Sequence, residues 1–224
     1  MLKTFTLSLV ASIALQFAVK AQSPLLASTI SYGYEYKDYY QNMYEYKHPF
    51  YNKNSFTKGD VCYFGRHYAN VQLKYDIIKD QLVTLYTDNL SEIALIPEQV
   101  DSFSLYGQTF VRMTQQEGIP AGYYAKIYKG KNYVLYGRYT KSVLPQQFVN
   151  GGLYDIVSTR DFYYLKLDNK FHAVKSLKNL GELLSASKKQ IKSFKHTDVA
   201  ATEASTDLPS NHYLDYVKYY EAAK

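Results

Sequence analysis

Apolar side chains recur at every second position through most of the chain up to Val174, and at every third or fourth position beyond it. A period of two buries one face of a strand, whereas a period near 3.6 lines one stripe of a helix. The clearest strand-turn-strand pattern is 59–75, GDVCYFGRHYANVQLKY. Val71, Leu73 and Tyr75 alternate with Gln72 and Lys74, which makes one side apolar and the other wet. Val61-Cys62-Tyr63-Phe64 is apolar on both faces and predicts a strand covered on both sides. Gly65-Arg66-His67 has the length of a short hairpin connection, with Gly65 free to take a positive φ.

Further strands are predicted over 81–86, 90–96 (ended by Pro97), 100–106, 110–113, 123–128, 133–139, 162–167 and 171–174. Phe103 and Leu105 point inward there, with Ser102 and Ser104 outward. Gly107-Gln108 suits a tight hairpin that starts with glycine, and 129–132 and Asp168-Asn169 suit two others. A strand every eight to twelve residues is the mark of an antiparallel meander. Residues 142–160 contain Pro145 and Gly151-Gly152, show no periodicity, and are expected to form a long mobile or functional loop.

After Val174, Leu177, Leu180, Leu184, Ile191 and Phe194 fall on one helical stripe, and Lys178, Lys188, Lys189, Lys192 and Lys195 ring the other side. The expectation is a helix docked on the sheet with its lysines in water, the alternative a helix in peripheral contact with anionic membrane. Gly181 and Ser185 to Ser187 weaken its middle and favour two shorter helices. A polar linker over 197–210 precedes a closing helix over 212–223 carrying Tyr213, Tyr216, Val217 and Tyr220. The fold class is therefore mainly β: an antiparallel meander, curled as a half-barrel or sandwich, with a C-terminal helical segment.

The N-terminus changes the picture of where this fold resides. Lys3, an apolar stretch over 4–19 and Val19-Lys20-Ala21 form a signal peptide with cleavage after Ala21. A transmembrane anchor would need ~20 apolar residues, and Ser8, Ser12 and Gln16 interrupt this shorter run. The chain then divides into a leader (1–21), a tyrosine-rich segment (22–58), a β domain (59–174) and a lysine-rich helical tail (175–224). The expected location is periplasmic or secreted, with no transmembrane helix.

Removing Lys3 and Lys20 lowers the formal charge from +6 to +4, too mild to argue for nucleic acid. A single cysteine allows no intramolecular disulfide, so stability must come from burial. The 26 tyrosines and 11 phenylalanines, without tryptophan, suit that need. Eight of the tyrosines lie from Tyr32 to Tyr51. Tyr32, Tyr34, Tyr36, Tyr39 and Tyr40 are the candidate ligand-binding residues, since rigid rings stack on sugars or extended ligands. The alternative is an edge strand and wrapping loop that seals the open end of the sheet.

Catalytic signatures are thin. The five histidines are scattered without zinc-like spacing, and no phosphate loop, dinucleotide fingerprint or Gly-x-Ser-x-Gly is present, so no metal or cofactor is implied. Cys62 near His67 invites a nucleophile, but a thiol buried in an apolar strand is inert. Asp76 with Asp80, four residues apart, is better suited to local turn hydrogen bonds than to a metal. Asp155 with Asp161 would serve a glycosidase only at a suitable separation.

The order of pieces also resembles a broad group of uncharacterised exported proteins of Bacteroidota-type bacteria. The resemblance is carried by Pro49-Phe50, Phe56-Thr57-Lys58-Gly59, Val71-Gln72-Leu73-Lys74-Tyr75-Asp76 with Asp80, Gly122-Tyr123-Tyr124, Phe162-Tyr163-Tyr164-Leu165 and Tyr219-Tyr220. It implies an exported β-rich protein and transfers no catalytic residue. The leading expectation is a non-catalytic envelope protein that binds or scaffolds, its partner an envelope protein or a glycan. The alternatives are a carrier of an apolar ligand in a curved sheet, and a hydrolase with an unfamiliar site.

Overall fold

Among the described residues, eleven antiparallel strands form one sheet. The computed structural model describes residues 30–38, 43–44, 47–196 and 211–222. The expected leader, Tyr39, Tyr40 and the 197–210 linker lie outside the described residues.

β2 (Thr57–Tyr63) is the joint of the sheet, flanked by β3 (Arg66–Asp76) on one side and β6 (Val100–Leu105) on the other. From β3 the chain steps outward through β4 (Gln81–Leu85) to β5 (Glu92–Ala94), on whose outer side the earlier β1 (Tyr34–Glu35) pairs. A 3-10 turn at Pro97–Gln99 then returns it across the molecule to start β6. The crossing is pinned by tyrosines: the Ile96 N–H donates to Tyr63 Oη at 3.3 Å, and Tyr123 Oη donates to the Pro97 carbonyl at 3.1 Å. From there a plain meander runs through β7 (Gln108–Met113), β8 (Gly122–Lys129), β9 (Tyr133–Val149), β10 (Gly152–Leu167) and β11 (Lys170–Val174).

The sheet curls. Tyr75 on β3 and Tyr123 on β8 are separated by four strand spacings, roughly 19 Å along a flat sheet. Their rings nevertheless meet at 5.8 Å, and Tyr75 also packs on Phe103 at 5.1 Å and Phe110 at 5.3 Å. All four rings are buried, so this side of the sheet is filled with aromatic side chains. The curl stops short of closure: among the described residues β9 meets the turn after β3 through one backbone hydrogen bond, from the Lys141 N–H to the Ile77 carbonyl at 3.2 Å, and through the Arg138–Asp80 ion pair.

The helical tail completes the same layer. α1 (Leu177–Leu183), α2 (Lys188–His196) and α3 (His212–Ala222) bury Leu180, Leu184, Phe194, Tyr216, Val217 and Tyr220 against Tyr133, Leu135, Leu165 and Val174. Ser176 caps α1 through the Asn179 N–H at 3.1 Å. Two helices replace one where Ser185 turns to φ 58°. Gly181 is a point of close approach: a Cβ there would stand 2.6 Å from Tyr216 Oη and 2.7 Å from Ile191 Cδ1. Lys178, Lys188 and Lys189 face water.

Several expectations change. The turn after β2 is Phe64-Gly65, with φ of 50° and 67°, and the one after β6 is Tyr106-Gly107, with 51° and 73°. Both are two-residue turns of the mirror-image type that suits strand twist, so each hairpin begins one residue earlier than the glycine suggests, and Arg66 and Gln108 already pair. Val61 and Tyr63 are buried but Cys62 is half-buried and Phe64 exposed, so the strand is not covered on both sides. Lys74 is not wet: Phe50 and Phe56 cover it, with Nζ 4.3 and 4.4 Å from their ring centres and 2.8 Å from Glu92 Oε1. The largest correction concerns 142–160, which is no loop. β9 and β10 pair continuously from Tyr133↔Leu167 to Val149↔Gly152, around an Asn150-Gly151 turn.

Candidate functional site

The tyrosine-rich segment enters the sheet as its outermost described strand, and one cleft forms there. β1 pairs with β5 through Tyr34↔Ala94 and Glu35↔Ile93, and the Tyr36 N–H continues the ladder to the Glu92 carbonyl at 2.9 Å. Two residues apart on an extended strand, Tyr34 and Tyr36 share one face, so the difference in their burial is set by what covers each. Tyr36 is buried against Phe50, Val83 and Ala94, while the Tyr34 ring is 65% exposed.

Below Tyr36 lies a buried carboxylate. Tyr36 Oη donates to Asp76 Oδ2 at 2.9 Å, and Asp76 Oδ1 accepts the N–H groups of Ile78 and Lys79, each at 2.9 Å. The two backbone bonds are the local turn expected of Asp76. The link to Tyr36 is long-range and had no signal in spacing. Burial, and then the neighbouring Asp76 carboxylate, push the Tyr36 phenol far above its ordinary range, which keeps it a donor. Lys79 Nζ stands 3.9 Å from Asp76 Oδ2, lies 4.5 Å from the centre of the Tyr36 ring, and donates to the Lys37 carbonyl at 2.5 Å.

Above this floor an open cleft of about 430 Å³ is lined by Tyr34, Tyr36, Lys37 and Glu35 on one side and by Lys79, Gln81 and Ala94 on the other. Of the five candidate tyrosines, Tyr34 and Tyr36 come together here, as lip and floor. Tyr32 is exposed but faces another way, its ring edge-on to Phe64 at 5.7 Å and its carbonyl accepting Tyr63 Oη at 2.8 Å. Tyr39 and Tyr40 lie outside the described residues. Lys37, Lys79 and Gln81 were missed because their neighbours are set by the β1–β5–β4 register rather than by adjacency in sequence.

Lys141 closes the far side of the same region. Its Nζ donates to the carbonyls of His48 at 2.8 Å and Phe50 at 2.7 Å. Burial pulls its amine down to about 8, against the opposing pull of Asp76.

The other polar candidates do not assemble catalytic machinery. Cys62 Sγ donates to Asp101 Oδ2 at 3.4 Å, and burial and that carboxylate push the thiol up, away from nucleophilic character. Asp80 leaves Asp76 for other partners, accepting Tyr75 Oη at 2.5 Å and lying 3.7 Å from Arg138 Nη2. Asp155 and Asp161 sit six residues apart on β10, ~20 Å along the strand, beyond the carboxylate separation of a glycosidase. Among the described residues no three His, Cys, Asp or Glu side chains gather as a metal site, and no helix is long and apolar enough to cross a membrane. Compared with family profiles, curated proteins and solved structures, the chain matches none.

Proposed function

We infer that this protein is an exported, non-catalytic envelope protein that binds a glycan at the tyrosine-bearing edge of its sheet. The observation that carries the reading is Tyr34: an exposed ring on the lip of a cleft whose other walls, Glu35, Lys37 and Gln81, offer charged and amide groups. A ring face for stacking beside convergent hydrogen-bonding groups is what a sugar presents a need for. The floor is held rigid by the Tyr36–Asp76–Lys79 network, so the site is built before the ligand arrives. The aromatic filling of the curled face favours this reading over a carrier of apolar ligands. Export to the periplasm or beyond rests on the Lys3-to-Ala21 leader and on the exported group that the chain resembles.

Titration calorimetry of the exported protein with soluble envelope polysaccharide fragments tests both parts. Intact mass should begin at Gln22, and saturable binding should weaken at least tenfold in Tyr34→Ala while Tyr34→Phe retains it, since stacking needs the ring and not the hydroxyl. A retained Met1 removes the export reading. Equal affinities for Tyr34→Ala and the unaltered protein remove the cleft.

A further inference from the structure

Charge is unevenly placed along the chain. The β9–β10 ribbon beyond Lys141 carries one charged residue, Asp155, across 142–158. The stretch 162–196 holds eight lysines, no arginine, and only Asp168 and Glu182 as acids. Of the chain's 26 basic and 20 acidic residues, that leaves 18 of each elsewhere, so the whole formal charge of +6 sits in this one stretch. The fold keeps it on the surface. α1 and α2 turn Leu180, Leu184, Ile191 and Phe194 to one core, while Lys170, Lys175, Lys178, Lys188 and Lys189 stay exposed. Lys178 pairs with Glu182 at 3.8 Å, and the other four have no acidic partner among the described residues.

We propose that this lysine face of the helical layer is a docking surface for an anionic lipid bilayer. Complementarity of charge selects an anionic partner, and it disfavours a second copy, whose lysines would face these. The side chains around the lysines select a bilayer from other polyanions. Glycans and single-stranded nucleic acids are held by exposed rings, yet no large apolar side chain described within 163–196 is exposed. Arginine forks grip phosphates one by one, and this stretch has none. Lysines are compact point charges, suited to a headgroup layer that offers negative charge everywhere and fixed geometry nowhere. The apolar stripe is already buried in the core, so nothing inserts among the acyl chains and the contact rests on charge alone. Such a contact is reversible, and salt screens it over ~8 Å at physiological ionic strength. The cleft at Tyr34 is built by the other margin of the sheet, so the two surfaces share no residue.

Co-sedimentation of the intact protein with vesicles tests this, using phosphatidylcholine alone and phosphatidylcholine mixed equally with phosphatidylglycerol. Only the anionic vesicles should take up the protein, and added salt should release it. Lys178→Gln with Lys188→Gln and Lys189→Gln should weaken partitioning by more than tenfold, at about fivefold per lysine, with an unchanged circular dichroism spectrum. Lys53→Gln with Lys58→Gln and Arg66→Gln removes the same formal charge from exposed sites elsewhere, and should retain most of the binding. Tyr34→Ala should bind vesicles as the unaltered protein does. Equal uptake by neutral vesicles, no uptake by anionic ones, or the same loss in both triple variants overturns the proposal. So does tighter binding of the same lysines to a soluble polyuronate than to the vesicles.

Discussion

One strand, β9, lives in two environments. Up to Gly137 it has β8 on one side and β10 on the other, and Leu135 is fully buried beneath the helices. From Ser142 onward it keeps the ladder to β10, yet Leu144 and Phe148 stay exposed. Backbone pairing is the same in both halves, so pairing does not make a core. A second layer does: the curl and the helices supply it for the body, and Met43 and Tyr44 supply a fragment of it for the ribbon. Side-chain energetics should therefore divide sharply along a continuous strand.

The strongest way to break that contrast is Phe110→Ala. Phe110 stacks on Phe103 at 4.8 Å and touches Tyr51 at 5.2 Å and Tyr75 at 5.3 Å. Its loss leaves a cavity that the ring cluster cannot collapse around, and denaturant unfolding should show about 3–5 kcal/mol of destabilisation. A cost under about 1 kcal/mol would mean that the curled face is loosely packed.

Alkaline titration sharpens the comparison, because it separates the body from the base of the ribbon. Burial raises the phenols of Tyr75 and Tyr123 above their ordinary 10.0 in the folded state. Their contribution is intact below pH 10 and is lost as pH rises above it, when the unfolded chain sheds protons that the fold retains. Lys141 has the opposite sign. Its folded value of about 8 lies below the ordinary 10.5, so the unfolded chain binds more protons between them and stability rises with pH across that window. Melting temperature should climb from pH 8 toward 10 and then fall, with the tyrosinate absorbance of the buried phenols appearing only on unfolding. Lys141→Met should flatten the climb and leave the fall.

The smallest effect belongs to the ribbon's end. Phe148→Ser should shift stability by no more than about 0.5 kcal/mol, because the ring already faces water. A loss near that of Phe110→Ala would erase the distinction between the two halves of β9.

Legibility followed the same divide. Strands with a single buried face were readable from alternation, as Val100 to Leu105 was, and so was the helical stripe through Leu180 and Leu184. Position 145 defeated the pattern. Proline breaks an inner strand, but here the ladder runs from Leu144↔Ile156 to Gln147↔Tyr154, which leaves an extra residue on β9 at Pro145-Gln146. The bulge takes up the missing N–H, so the strand passes through. Lys74 misled for another reason: its strand alternates correctly, but Phe50 and Phe56 cover the face that alternation marks as wet. At the cleft, Tyr34 was legible as an aromatic candidate, while its opposite wall, Lys79 and Gln81, depended on strand order that no local pattern encodes.

The stepwise shortening of the outer strands bears on how a chain with 26 tyrosines could meet another at the ends of its sheet. From β3 outward the strands span 11, 5, 3 and finally 2 residues, and the other margin, β11, has 5. Fibril growth needs a long, flat template onto which an incoming chain can lay successive hydrogen bonds. Each of the two end strands offers only a short ladder, so a strand added there would run out of partners before it recovered the entropy of being straightened. Tapering thus works, at the two ends of the sheet, as a protection that involves no charge, and it lets the interior be crowded with stacked rings without making those ends adhesive.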